Sequence, residues 1–147
     1  MHEDNRAAGG TMLTHTLKSK IHRATVTAAN VQYEGSLTID EDLMNKVGLV
    51  PFERVLCSNM ANAARFETYV IPGLRGSKQI VLNGAAAHLG KPGDRLTIMS
   101  FTVLDLELAT VWKPRVVVLD EQNNIANERG FEPRRIVSGQ NHEAKVL

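Results

Sequence analysis

The stretch FETYVIPGLRGSKQIVLNG, which runs from Phe66 to Gly84, contains the pattern that decides the fold. It opens with six residues of strand-forming type in which side chains would alternate between two faces: Phe66, Thr68 and Val70 on one, Glu67, Tyr69 and Ile71 on the other. It closes with a second short run, Gln79–Leu82, and proline and glycine lie between the two. The stretch predicts two short strands joined by a turn.

Five further segments of the same chemistry lie outside this stretch, each bounded by glycine, proline or polar residues. They are Ile21–Thr27, Ser36–Ile39, Glu53–Ser58, Leu96–Val103 and Arg115–Leu119. Many short strands at this spacing favour a closed sheet, because closure removes the exposed edges of a small open sheet. The sequence therefore predicts a mainly β chain that forms a barrel.

Helices are predicted to be few and short. Asp40–Gly48 has acidic residues at its start, a lysine in its last turn and a glycine at its end, which is the pattern of one capped helix. Gly84–Leu89 is predicted as a further turn of helix, and Leu104–Val111 as another. Lys91–Asp94 has the composition of a turn. Beyond about Asn127 the periodicity is lost, so we expect a loosely packed polar tail.

Composition limits the functional class. The 147 residues are 43% apolar and 22% charged, which describes one globular domain. A net charge of +1 argues against broad binding of nucleic acid. No apolar run approaches the ~18 residues of a membrane span, and the first ten residues lack the apolar core of a secretory signal. A single cysteine is consistent with a reducing compartment, so we predict a cytoplasmic protein with no membrane partner.

Most common catalytic patterns are missing from the sequence. The five histidines do not stand at the spacing of a zinc site, and the glycine-rich nucleotide loops and the hydrolase nucleophile elbow are not present. Cys57 lies within an apolar strand segment, where a lone cysteine is most often a small buried hydrophobe. The sequence therefore gives no support to a metal enzyme, a nucleotide-binding protein or a cysteine hydrolase.

Three other features allow two interpretations each. Lys20, within a stretch free of acidic residues, and Arg65 are either solvated charges or a cationic wall for an anionic substrate. Gly35-Ser36 is either an ordinary turn or a self-cleaving site, since a serine hydroxyl can attack its own upstream carbonyl and glycine tolerates the strained backbone this requires. Taken singly, none of these features decides between its two interpretations.

Four motifs taken together resemble the pyruvoyl-dependent aspartate 1-decarboxylases in order and spacing. They are Lys20-Ile21-His22-Arg23, Tyr33-Glu34-Gly35-Ser36, Arg65-Phe66-Glu67-Thr68-Tyr69 and Asn83-Gly84-Ala85-Ala86-Ala87-His88. The similarity extends from about Met12 to about Val118. It implies a six-stranded double-psi β-barrel with a few short helices, assembled as a homotetramer with active sites between neighbouring subunits. The domain would span residues 12–127, between an N-terminal extension (1–11) and a polar C-terminal tail (128–147).

The resemblance also implies how the cofactor forms. The Ser36 hydroxyl would attack the Gly35 carbonyl, Thr68 would stabilise the oxyanion, and residue 36 would end as a pyruvoyl group. Its ketone would form a Schiff base with L-aspartate and accept the electron pair left by CO2, so that no metal and no pyridoxal phosphate is needed. Tyr69 would then donate the proton that completes β-alanine, a precursor of pantothenate and coenzyme A.

The remaining site residues are likewise implied by the resemblance. Lys20 and Arg65 would hold the substrate carboxylates, together with a contact from Thr68. Small residues would line the substrate site and let the backbone approach closely; they are Gly84, Ala85 and Ala86. Asn83 would orient groups near the cleaved bond, while His22 and Tyr33 would support the site without an assigned role.

The sequence departs from the family at one position, and it leaves alternatives open for the function, the substrate and the cleavage. Members often have a tryptophan in the strand before the Arg-Phe motif, whereas this chain has Cys57-Ser58 there and its only tryptophan at 112. The chain could be an unprocessed barrel that serves as a binding or regulatory module, or it could act on glutamate or cysteine sulfinate instead. Whether the cleavage is spontaneous or assisted by a maturation partner is also open.

Overall fold

The computed structural model describes residues 11–131, and the chain in this range is mainly β. The strands are β1 (Leu13–Thr25), β2 (Ala28–Asn30), β3 (Ser36–Asp40), β4 (Arg54–Asn59), β5 (Arg65–Gly73), β6 (Ile80–Asn83), β7 (Arg95–Asp105), β8 (Arg115–Leu119) and β9 (Ile125–Arg129). The helices are α1 (Glu41–Val47), a 3₁₀ helix (Gly84–His88) and α2 (Leu106–Val111). The prediction of a mainly β chain with a few short helices is confirmed.

The nine strands of the described range form one sheet in the order β2-β6-β3-β5-β4-β7-β1-β8-β9. Three neighbouring pairs are parallel, namely β1 with β8, β2 with β6 and β3 with β5, and the other pairs are antiparallel. Because parallel neighbours need a crossover between them, strands distant in sequence become adjacent in space. The start of β3 thereby lies between β5 and β6, two of the strands that carry the sequence motifs.

The core consists of the inward faces of these strands together with α1. It is apolar and almost fully inaccessible, with Ile21, Leu37, Ile39, Val70, Ile80, Leu82, Leu96, Ile98 and Val117 among its members. Of the two faces predicted for β5, the one carrying Phe66 and Val70 is turned to this core, while Glu67 is exposed. The predicted alternation is therefore seen in β5, and the structure shows which of the two faces is buried.

Helix α1 is built as its sequence predicts. The Asp40 carboxylate accepts a hydrogen bond from the Asp42 N–H at 2.8 Å, and Gly48 ends the helix with φ +80°. The same buried carboxylate accepts from the N–H groups of Gly76 and Lys78, at 3.0 and 2.8 Å. Asp40 thus ties the end of β3 to the loop between β5 and β6.

Several boundaries differ from the prediction. Strand β1 begins at Leu13, eight residues before the predicted Ile21, because its first half pairs with the end of β7. Leu104 and Asp105 belong to β7, so α2 begins later than predicted. Strands β2 and β9 were not predicted, and β9 continues through Arg129, past the expected start of the tail. Most of the predicted N-terminal extension, and the tail from residue 132, lie outside the described residues; the domain boundaries and the double-psi connectivity stay predictions.

Candidate active site

The Gly35-Ser36 bond lies where the exposed loop before β3 enters the sheet. Gly35 is exposed, whereas Ser36 is the first residue of β3 and is only 1% exposed. The Ser36 hydroxyl accepts a hydrogen bond from Asn83 Nδ2 at 3.0 Å and donates to the Glu34 carbonyl at 3.4 Å. The nucleophile proposed by the sequence is therefore buried and held on two sides.

Asn83 reaches Ser36 because the two residues are directly paired between β6 and β3. Its side chain is 4% exposed, and its second N–H donates to Thr38 Oγ1 at 2.9 Å. Sequence reasoning missed Thr38. The signal was its position two residues after Ser36, since residues i and i+2 of a strand share a face.

Gly84 allows the loop before Ser36 to pack against the 3₁₀ helix. Its φ is +66°, and an ideal Cβ on it would lie 2.6 Å from Gly35 Cα and 2.9 Å from the Tyr33 carbonyl oxygen. Gly35 does not have a positive φ, and a Cβ built on it would meet nothing within 4 Å. The sequence suggested that Gly35 needs the backbone conformations open only to glycine. In the structure it is Gly84 that adopts such a conformation, with a positive φ.

The residues that follow Gly84 and precede Gly35 lie around the contact between these two glycines. Ala85 is exposed at the first turn of the 3₁₀ helix, and Ala86 is half-buried against the core. Tyr33 has 53% of its surface exposed in the loop that leads to Ser36. We call Gly35, Ser36, Thr38, Asn83 and Gly84 the cleavage group.

Strand β5 brings Thr68 and Tyr69 to the edge of the cleavage group. Leu37 of β3 is paired with Val70 of β5 in parallel register, so the preceding residues, Ser36 and Tyr69, are neighbours across the two strands. The Tyr69 ring also packs against exposed Phe52, with 6.1 Å between the ring centroids. Tyr69 therefore lies beside Ser36 on the face of β5 that is turned away from the core, whereas Thr68 belongs to the opposite face of the strand.

Lys20, His22 and Arg65 lie on a different part of the sheet. Ser58 of β4 is paired with Thr97 of β7 on one side and with Arg65 of β5 on the other. Paired residues point to the same face, and the His22 ring Nδ1 lies 3.1 Å from Thr97 Oγ1. Lys20 precedes His22 by two residues on β1 and shares that face. We call Lys20, His22, Ser58, Arg65 and Thr97 the basic face.

The basic face keeps its histidine neutral. The pKa of His22 is lowered, chiefly because partial burial removes water from the ring. Four nearby cations lower this pKa further: Lys20, Arg23, Arg129 and Arg95. At neutral pH the ring is therefore uncharged and can both donate and accept one hydrogen bond.

The cleavage group and the basic face occupy different positions in the strand order of the sheet. Arg65 lies four residues from Tyr69, about 13 Å along β5. Lys20 is on β1, which three strands separate from β3 in the sheet order. The predicted site residues thus form two groups in the described chain.

Cys57 lies between these groups but is part of the core. It is fully buried, and desolvation raises the pKa of its thiol to about 12. A thiol of this kind is protonated at neutral pH and is a poor nucleophile. The prediction that Cys57 is a buried hydrophobe is confirmed.

Among residues 11–131 no helix is both long and apolar enough to cross a membrane. Within the same range, no three or more histidine, cysteine, aspartate or glutamate side chains are grouped so that they could hold a metal ion.

Comparison with known proteins assigns the family. The family model described as aspartate decarboxylase matches residues 12–126. The chain is 50% identical over 121 residues to an aspartate 1-decarboxylase of Bacillus subtilis, covering 82% of this chain and 95% of that protein. It is 52% identical over 121 residues to one of Pelotomaculum thermopropionicum, covering 82% and 92% of the two chains. Because the match includes both groups of predicted site residues, the chain belongs to the aspartate decarboxylase family of enzymes.

Proposed function

We propose that the chain removes the α-carboxylate of L-aspartate, giving β-alanine and CO2, after it cuts itself between Gly35 and Ser36. The observation that carries the proposal is the buried Ser36 hydroxyl, which Asn83 holds at the edge of an exposed loop. Relatives of about 50% identity over most of the chain are aspartate 1-decarboxylases. β-Alanine would supply pantothenate synthesis, and we expect the reaction to take place in the cytoplasm.

The proposed cleavage uses only the atoms of the chain and water. Ser36 Oγ bonds to the Gly35 carbonyl carbon, the Gly35–Ser36 C–N bond breaks, and the hydroxyl proton moves to the freed nitrogen. In the resulting ester the Cα proton of residue 36 is removed and its Cβ–Oγ bond breaks, which leaves Gly35 with a free carboxylate and residue 36 with a Cα=Cβ double bond and a free amine. Water then replaces the nitrogen of residue 36, which leaves as ammonia. In the first of these steps, the attack of Ser36 Oγ, Thr68 would donate to the oxyanion that forms on the Gly35 carbonyl.

The residues around Ser36 fit a pyruvoyl group formed at this position. Asn83 provides a buried amide beside residue 36. The backbone of the loop that is cut packs closely against Gly84, where it occupies the space of a Cβ. The group supplies an electron-accepting ketone for the electron pair that departing CO2 leaves behind. Chemistry of this kind requires neither a metal nor pyridoxal phosphate.

Recognition of the two substrate carboxylates is assigned to Lys20 and Arg65. Arginine suits this role because its fork of N–H groups can bind a carboxylate at two points. Since Lys20 and Arg65 lie on the basic face of one chain and Ser36 in its cleavage group, we propose that the site forms between two copies of a homotetramer. His22 and Ser58 would then border the substrate, with Gly84, Ala85 and Ala86 on the opposite wall and Tyr33 supporting it.

Tyr69→Phe is expected to cleave normally but to lose turnover. Tyrosine carries a proton at neutral pH, and Tyr69 is the neighbour of Ser36 on β5, so its hydroxyl is placed to protonate the product carbanion. Loss of a positioned general acid costs about 10²- to 10⁴-fold in rate. The check is kcat for β-alanine formation on fully cleaved protein, and an unchanged kcat would remove Tyr69 as the donor.

Intact mass spectrometry together with substrate assays tests the proposed function. Scaling 16.2 kDa over 147 residues, we expect fragments of about 3.9 and 12.3 kDa. The larger should be about 17 Da lighter than hydrolysis alone would leave it, because residue 36 has lost ammonia overall when it becomes a pyruvoyl group. Aspartate should be turned over faster than glutamate or cysteine sulfinate. A single uncut chain that releases no CO2, even after incubation with cell extract to supply a maturation partner, would favour a binding module and contradict the proposal.

A further inference from the structure

Thr38 belongs to the cleavage group but has no role in the steps above. It is two residues from Ser36 on β3, and its hydroxyl is the second acceptor of the Asn83 amide, at 2.9 Å. Ser36 and Thr38 thus take up both N–H groups of one buried side chain, at 3.0 and 2.9 Å. In this orientation both N–H groups of the amide have an acceptor.

The side chain of Thr38 is itself held in one orientation. Its methyl group lies against Gly73 of the neighbouring strand, where an ideal Cβ on the glycine would be 2.9 Å from Thr38 Cγ2. Because the methyl occupies this space, the hydroxyl is left to point at Asn83. Packing of the Thr38 methyl against Gly73 therefore directs the Thr38 hydroxyl toward Asn83.

The second hydrogen bond matters for Ser36 because an asparagine amide can turn over. If Thr38 offered no acceptor, one Asn83 N–H would be unsatisfied in a nearly buried place. Turning the amide would present its oxygen to Ser36 instead, and the serine hydroxyl would then donate to Asn83. The serine proton would then be hydrogen-bonded to Asn83 and no longer to the Glu34 carbonyl, and Ser36 Oγ would lose the Asn83 N–H that fixes its position.

We infer that Thr38 is a positioning residue for self-cleavage, because it holds Asn83 with its N–H toward Ser36 Oγ. This inference rests on the proposed function, since it concerns the rate of the cut between Gly35 and Ser36. It predicts that cleavage depends on the hydroxyl of residue 38 and not on its methyl group.

Three variants of the full chain separate the hydroxyl from the packing. Thr38→Val keeps the methyl and removes the hydroxyl, whereas Thr38→Ser does the opposite. Thr27→Val is the matched control: it removes a hydroxyl that makes two hydrogen bonds to Ile80 of β6, the strand that carries Asn83. Each chain is made uncut by cell-free synthesis in the cold, then warmed, and the cut fraction is followed by intact mass.

Thr38→Val should be cut at least tenfold more slowly than the parent, the loss expected for about one hydrogen bond. Thr38→Ser and Thr27→Val should stay within about threefold of the parent. The thermal unfolding midpoint is measured in parallel, because Thr38→Ser loses packing and should be destabilised while still being cut. If Thr38→Val does not fold, Thr38→Ala, which cannot clash, takes its place.

The outcomes distinguish the two proposals. A parent chain that is never cut would overturn the proposed function and this inference together. A parent that is cut, with Thr38→Val or Thr38→Ala cut equally fast, would overturn the role of Thr38 alone. Cleavage rates that follow the unfolding midpoints, with Thr38→Ser as slow as Thr38→Val, would also overturn it, because they would show a merely structural effect.

Discussion

Replacing Ser36 with alanine is expected to give a folded chain of 16.2 kDa that is neither cut nor able to release CO2 from aspartate. The methyl of alanine fits the buried position of Ser36, so the core around it is kept. What is lost is the hydroxyl and its hydrogen bonds to Asn83 and Glu34, at a cost of about 1–2 kcal/mol in the free energy of unfolding. Without the hydroxyl no ester can form, and the ketone that accepts the electron pair cannot arise.

The chain contains a matched control for this variant at its second Gly-Ser pair. Ser77 follows Gly76 in the loop between β5 and β6, and its hydroxyl donates to the Leu74 carbonyl at 2.5 Å. Ser77→Ala removes the same group from the same dipeptide, in an exposed place where the hydroxyl is hydrogen-bonded to the backbone of Leu74 and Gln79. We expect this variant to be cut and active, so intact mass and CO2 release should separate the two alanine variants completely. Turnover of aspartate by Ser36→Ala would rule out the pyruvoyl mechanism.

Local patterns in the sequence were sufficient for elements whose stabilising contacts are also local. Helix α1 has its cap at Asp40, its acidic first turn and its final Gly48 within nine residues of sequence, and the structure has all of them. Strand β1 shows the opposite case. Its first half is polar or exposed and becomes a strand only because β7 pairs with it, some 85 residues later in the chain. Strands β2 and β9 have mostly exposed side chains, so no buried face marks them.

In the candidate site, too, the sequence predicted residues but not their contacts with residues distant in the chain. The motifs identified Ser36, Asn83 and Gly84, but not that Asn83 pairs with Ser36 across two strands or that Gly84 touches Gly35. Those contacts join residues nearly fifty positions apart and follow from the sheet order. Thr38 and Thr97 lie outside the four motifs, and each contacts a motif residue, Asn83 and His22 respectively. A resemblance identifies the reacting residues, whereas the residues that hold them are found from the geometry.

Gly84→Ala is expected to abolish or strongly slow cleavage, by at least about a hundredfold, and to destabilise the chain. Two costs add together. An alanine at φ +66° is strained by about 1–2 kcal/mol, and its Cβ would lie 2.6 Å from Gly35 Cα, which forces the loop away at about 1–3 kcal/mol more. The atoms that must give way are the backbone of the residue that is cut. Displacing them separates the Gly35 carbonyl from the hydroxyl that Asn83 holds in place.

Gly76→Ala is the control that separates the cost of displacing the loop from the cost of backbone strain. Gly76 has φ +78°, but an ideal Cβ there would find only Asp42 Oδ2, at 4.0 Å. The two variants therefore carry the same backbone strain, and only one displaces the cleavage loop. The drop in unfolding midpoint should be larger for Gly84→Ala, and Gly76→Ala should be cut at the rate of the parent. If both variants were cut equally fast, the close approach of Gly84 to Gly35 would have no part in cleavage, and its positive φ would serve only the turn into the 3₁₀ helix.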